Sequence, residues 1–232
     1  MTGPKLVLYN SVACPYAARA VIAAEETGAQ LEIVPIDLNV PRPDWYLKEI
    51  NPYGQVPALK VDDKHVILES LLVAEYLSDL HPGAGLFPTD PLQRAQTRYL
   101  IHHWGNRTHP AFHKAAFVLD REQAAKHREE FIVELEKFNR LLENVYRREE
   151  DGNGPFFLGD KFTFADLALG PFMSRFILLG AYDNGNKEVT LEDYPQFKRF
   201  FEWKDAVTKR PSVAKASYPR EKLIEAYKKF LH

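Results

Sequence analysis

Over residues 1–82, short continuous apolar runs alternate with apolar positions at helical spacing. Leu6-Val7-Leu8-Tyr9 is apolar throughout and bounded by turn formers, which predicts a buried strand. Ala18, Val21, Ile22 and Glu25 follow helical spacing, and Gly28 closes that helix. Leu31 to Ile36 predicts a second strand, and Trp45, Tyr46 and Ile50 a short helix. Ala58 to Val61 and Val66 to Leu68, joined by Asp62-Asp63-Lys64, predict a hairpin. Val73, Tyr76, Leu77 and Leu80 fall at i, i+3, i+4 and i+7, so a helix ends just before Pro82. The predicted order is β-α-β-α-β-β-α, and a right-handed crossover makes the first two strands parallel.

From Asp90 onward the pattern is helical. Asp90 suits an N-cap with Pro91 at the first helical position, opening a long helix to about Phe117. A second long and highly charged pattern covers Glu122 to Arg148. Thr163-x-x-Asp166 ahead of Leu167 and Leu169 has the form of a capping box, with Asp in place of Glu. Shorter helical runs cover Tyr194 to Lys209 and Arg220 to Leu231. Between the two regimes, Pro82-Gly83-Ala84-Gly85, Pro88 and Asp90-Pro91 are loop chemistry. The expected organisation is an α/β domain over residues 1–82, a linker over 83–90 and an all-helical domain over 91–232.

Composition narrows the function classes. With 232 residues, 45% hydrophobic and 27% charged, the chain is neither disordered nor fibrous. Thirty basic and 32 acidic residues leave a net charge of −2, which argues against nucleic acid as a partner. The imbalance is local: residues 1–82 carry 6 basic and 11 acidic side chains, the remainder 24 and 21. The most apolar stretch, Phe162 to Tyr182, contains Asp166 and Arg175, so no membrane span is expected. No signal-peptide core precedes the first strand, and a lone cysteine excludes an internal disulfide. The expected location is cytoplasmic.

That lone cysteine is the first candidate for chemistry. Cys14 follows the first strand and starts the first helix, with Pro15 at N1. Unpaired backbone N–H groups and the positive end of the helix dipole favour thiolate over thiol there. The competing reading is a small buried hydrophobe. Position 17 is Ala, so no Cys-x-x-Cys partner exists and a mixed disulfide on Cys14 needs an external thiol to resolve it.

Three features suit a small-thiol site. Val56-Pro57 before the third strand marks a special turn of the cis type, which would turn the Val56 N–H and C=O toward an extended peptide. An ordinary trans proline opening an edge strand is the alternative. Glu69-Ser70 opens the last helix of the domain: a helix N-terminus with a hydroxyl binds a carboxylate, and Glu69 can hold an ammonium. Plain capping is the alternative. Arg42, in Pro41-Arg42-Pro43, is a cation on a stiff loop, available to a ligand carboxylate or merely solvated.

Other groupings lead elsewhere. His102, His103, His109 and His113 cluster in sequence, but adjacent histidines diverge on a helix and Pro110 interrupts, so no metal is expected. Arg147-Arg148 and Lys228-Lys229 read as solvated helix faces.

Cys14-Pro15-Tyr16 after a first strand, Asn51-Pro52-x-Gly54-x-Val56-Pro57, Glu69-Ser70 and Gly159-Asp160-x-Phe162-Thr163-x-Ala165-Asp166 resemble the cytosolic glutathione transferases. The cysteine-type omega class is the nearest match, over the whole chain. The resemblance implies a thioredoxin-like domain followed by an α-helical bundle, with glutathione as co-substrate and a homodimer as the assembly. It implies glutathione with its sulfur at Cys14, its cysteinyl backbone on Val56 beside Pro57, and its glutamyl headgroup at Glu69 and Ser70. Pro15 and Tyr16 flank that sulfur in the motif. Arg42 falls where the omega pattern has a lysine contacting glutathione, with one extra residue before Asn51. Gln55 fills a glutathione-contact slot that is commonly apolar in the class. Arg175 and Trp203 match an arginine and a tryptophan placed over the acceptor pocket, and Trp104 is a further wall candidate by position. The implied activity is thiol transfer or reduction on glutathionylated or small hydrophobic substrates, dehydroascorbate and S-glutathionyl ketones among them. The competing class is a non-enzymatic ligand carrier or scaffold on the same fold.

Overall fold

Leu6–Asn10 forms strand β1, an inner strand of a four-stranded sheet, in the computed structural model, which describes residues 3–232. The strand order is β2-β1-β3-β4, with β2 at Glu32–Pro35, β3 at Ala58–Val61 and β4 at His65–Ile67. β1 and β2 are parallel, as the crossover argument expects, and β1 pairs antiparallel with β3 in the register Leu8 opposite Leu59. The β3–β4 turn places Asp62 and Asp63 at φ 50° and 56°. Two left-handed residues are what a tight hairpin of the primed type requires, and aspartate tolerates that region.

Helix α1 covers Pro15–Thr27 and ends on Gly28 at φ 73°, whose N–H reaches the Ala24 carbonyl. Helix α2 is Asp44–Glu49 and helix α3 is Ser70–Leu80. One cluster of buried side chains gathers Val7 and Tyr9 of β1, Tyr46 and Ile50 around α2, and Val56 and Ala58 at the start of β3. Cys14 packs against this cluster.

The chain forms two compact units. The second comprises Phe87–Arg210 with Pro219–His232. Its helices are α4 (Pro91–His103), α5 (His109–Phe117), α6 (Arg121–Glu143), α7 (Phe164–Met173) and α8 (Lys198–Lys209). The single helix expected from Pro91 to Phe117 is divided by a π-turn at Trp104–Thr108. Pro110 has no N–H to continue the ladder, and the wider turn accommodates it. α6 stops at Glu143, short of the expected Arg148, and the two arginines beyond it are not a solvated helix face. Arg147 donates to the Phe156 and Phe157 carbonyls at 3.0–3.3 Å, and Arg148 pairs with Asp151 at 3.1 Å.

Residues 211–218 depart from the expected domain division. Helix α9 (Pro211–Lys215) belongs to the first unit, while α10 (Arg220–Tyr227) returns to the second. α9 lies on α1: Ser212 Oγ is 2.5 Å from Glu26 Oε1, Lys215 Nζ is 2.6 Å from Glu25 Oε1, and Val213 is buried. Helical periodicity shows which face of a segment is apolar, not which neighbour covers it. Among the described residues, no helix is long and apolar enough to cross a membrane.

Candidate functional site

Cys14 is the N-cap residue of α1, in extended conformation at φ −83° and ψ 120°, and Pro15 is buried behind it as the first helical residue. The Cys14 N–H is engaged with the Ser11 carbonyl at 3.0 Å. Its sulfur therefore stands at the positive end of a thirteen-residue helix with no acidic side chain in the first turn to oppose the dipole. Cys14 Sγ lies 3.8 Å from the Val56 carbonyl oxygen.

A buried cation stands one turn further along α1. Arg19 is 5% exposed, its Nη1 donates to Ser70 Oγ at 3.0 Å, and its guanidinium lies 5.3 Å from the centre of the Tyr16 ring. Burial lowers its pKa to about 10, opposed by Tyr16 and Cys14, so it is still charged at neutral pH. Arg19 was not anticipated from the sequence, where the available signal was one cation among Ala17, Ala18 and Ala20, all three of them buried.

Across the cleft, the Val56–Pro57 bond is cis. The two carbonyls before Val56 are held by side chains from the preceding segment. Arg42 Nε donates to the Gly54 carbonyl at 3.1 Å, and Tyr46 Oη and Asn51 Nδ2 both donate to the Gln55 carbonyl, at 2.7 and 3.0 Å. Gly54 has φ +66°, and a Cβ there would meet Arg42 Cγ at 2.9 Å, so glycine is required on both counts. Burial pushes the Tyr46 hydroxyl up to about 12, which keeps it a donor.

At the far end, Glu69 precedes α3 at φ 68°. This left-handed conformation is costly for a non-glycine residue and tends to persist where a side chain must be aimed. Glu69 is exposed, whereas Ser70 at the helix start is 6% exposed.

These residues enclose a cleft of about 450 Å3, lined by Cys14, Tyr16, Leu38, Arg42, Asn51, Gly54, Gln55, Val56, Pro57, Glu69 and Ser70. That volume suits a small-molecule ligand. Of the residues expected around glutathione, only Pro15 is outside the lining, because it lies in the helix behind Cys14. Arg42 borders the cleft but is not a free cation. Besides Gly54, its guanidinium donates to the Asp37 and Val40 carbonyls, so it ties its own loop together. Leu38, Asn51 and Gly54 join the lining without having been singled out for it.

The three side chains expected over an acceptor pocket lie buried inside the second unit. Trp104 is 1% exposed among Phe138, Phe172 and Phe176. Arg175 is 3% exposed, with its Nε on the Tyr227 hydroxyl at 2.9 Å. Trp203 is 0% exposed and donates its Nε1–H to Asp166 at 2.7 Å. A pocket wall needs an exposed face, and packing inside the helical unit takes it from all three. Among the described residues, no group of three or more His, Cys, Asp or Glu side chains has metal-binding geometry.

The family model for the glutathione S-transferase N-terminal domain matches residues 8–85, and that for the C-terminal domain matches residues 108–217. The chain is 34% identical over 229 residues to a probable glutathione transferase omega-2 of Caenorhabditis briggsae, covering 97% of this chain and 85% of that one. It is also 32% identical over 207 residues to a probable maleylacetoacetate isomerase of Caenorhabditis elegans, covering 85% and 93%. Among solved structures, glutathione transferase Omega 1C from Trametes versicolor superposes with a TM-score of 0.79 at 26% identity, covering 98% of this chain and 97% of that one.

Proposed function

Because the chain belongs to the glutathione transferase family and is omega-like, we propose that it is a glutathione-dependent thiol transferase working through a mixed disulfide on Cys14. The observation that carries this reading is a cysteine sulfur at a helix N-terminus, 3.8 Å from the Val56 carbonyl, in the cleft that also holds Glu69 and Ser70. A hydroxyl or tyrosine-based transferase site has no need of a thiol there.

The Cys14 thiolate attacks the glutathionyl sulfur of a glutathionylated substrate. The S–S bond to the substrate breaks, the substrate leaves as a thiolate that takes up a proton, and glutathione stays on Cys14 as a disulfide. A second glutathione thiolate attacks the glutathionyl sulfur, releasing oxidised glutathione and restoring the Cys14 thiolate. The chain has no second cysteine to do this internally. The Val56 backbone pairs with the cysteinyl backbone of glutathione. The N-terminus of α3 with Ser70 takes the glutamyl carboxylate, and Glu69 takes its ammonium. Arg42 acts on the loop and not on the ligand.

Replacing Cys14 with Ser tests the mechanism. Reduction of a small glutathionyl mixed disulfide should fall by about a thousandfold or more, as for loss of a nucleophile. Retention of the parent rate in Cys14→Ser would show that the cysteine is only a packed hydrophobe.

A further inference from the structure

Two side chains fix the orientation of the Gln55–Val56 peptide at the edge of the cleft. A trans peptide is planar, so the Gln55 carbonyl and the Val56 N–H point in opposite directions along one rigid group. The only cis bond among the described residues is the next one, Val56–Pro57. Tyr46 Oη at 2.7 Å and Asn51 Nδ2 at 3.0 Å occupy both lone pairs of the Gln55 oxygen. Both donors are themselves buried and Asn51 is bonded at both ends. Tyr46 is 0% and Asn51 3% exposed, the Asn51 N–H is held by the Tyr46 carbonyl at 2.9 Å, and Asn51 Oδ1 accepts from the Tyr53 N–H at 3.0 Å. The Val56 N–H, at the other end of the same amide, has no hydrogen-bond partner among the described residues, and Val56 lines the cleft. Two donors on the carbonyl also polarise the amide, which strengthens its N–H as a donor.

We infer that Tyr46 and Asn51 are positioning residues that aim the Val56 N–H at a ligand's peptide backbone, so that the site selects a peptide thiol over a small thiol. This rests on the glutathione reading of the cleft. Tyr46 is not in the cleft lining, and Asn51, which borders the cleft, directs its side-chain amide to the Gln55 carbonyl and its oxygen to the Tyr53 N–H. Their effect passes through one amide, and a thiol without a peptide backbone gains nothing from it. In the sequence, Tyr46 is an apolar helix position and Asn51 part of a turn, so neither signals this role alone.

The probe is S-methylglutathione, which keeps the peptide backbone and cannot form a disulfide. Its binding is measured by calorimetry on the parent, on Tyr46→Phe and on Asn51→Asp, the second variant removing the amide donor while keeping the acceptor for Tyr53. Each variant should weaken binding about three- to tenfold, the factor that corresponds to one hydrogen bond. Alkylation of Cys14 by iodoacetamide, which needs no peptide, should stay within about twofold of the parent. Two results overturn the inference: parent-like affinity in both variants, or loss of affinity and of Cys14 reactivity by the same factor, which marks general loosening. A parent that binds no S-methylglutathione overturns instead the glutathione reading beneath it.

Discussion

Glu69 shows how a single residue separates binding from chemistry. Its backbone sits at φ 68°, a conformation that costs on the order of 1–3 kcal/mol for a side chain that gains nothing by it. The side chain is exposed and lines the cleft at the end marked by α3. Glu69→Gln should therefore weaken glutathione binding by roughly 1–2 kcal/mol, the lower part of the range for a charged hydrogen bond because water reaches the carboxylate. Cys14 alkylation without ligand should be unchanged, and a titration alongside the alkylation assay checks both. Ser70 behaves differently from what its sequence context suggests. Its hydroxyl oxygen accepts from Arg19, which sits on the Cys14 helix, so Ser70→Ala removes an acceptor from a buried cation as well as the proposed contact to the glutamyl carboxylate. A fall of about 1–3 kcal/mol in unfolding free energy should accompany its loss of affinity. Glu69-Ser70 was legible in the sequence because a helix start is local. Arg19 was not, since its partner is 51 residues away.

At the scale of elements, the capping box of α7 shows what local reasoning reaches and where it stops. Asp166 Oδ2 accepts from the Thr163 N–H and hydroxyl, both at 2.8 Å, which is the box the Thr163-x-x-Asp166 spacing predicts. Asp166 Oδ1 also accepts from the Phe157 N–H at 2.9 Å and from Trp203 at 2.7 Å. Burial pushes the carboxyl up while these four donors pull it down. Asp166 thus joins the start of α7, the loop before it and α8 in one buried network. Asp166→Ala should cost about 3 kcal/mol or more, from a lost cap and several buried donors left unpaired. Urea unfolding measures it, and a loss near 1 kcal/mol would mean that the cap alone contributes. Nothing in the spacing of Trp203 announced its bond to Asp166; that contact exists because α8 crosses α7.

For the whole molecule, periodicity and turn chemistry were enough to read the strand and helix order of the first unit, because each element's period is set within a few residues. They assigned residues 211–218 to the wrong unit and missed the Tyr46–Asn51 clamp, because both depend on which distant surfaces meet. Arg42 is the same lesson in one side chain: a cation on a Pro-rich loop was readable, but not that it donates to two backbone carbonyls of its own loop and to the Gly54 carbonyl beyond α2. What remains central is Cys14 at the head of α1 in a cleft of about 450 Å3, and the lone cysteine makes it directly testable, since any disulfide-linked adduct must be on it. The measurement is the intact mass of the protein over time with oxidised glutathione at neutral pH. One glutathionyl adduct per chain should form, at a rate that saturates with oxidised glutathione, is slowed by S-methylglutathione and is reversed by reduced glutathione. An absent adduct, or one whose rate rises linearly with concentration and ignores S-methylglutathione, would rule out Cys14 as the nucleophile of a glutathione site.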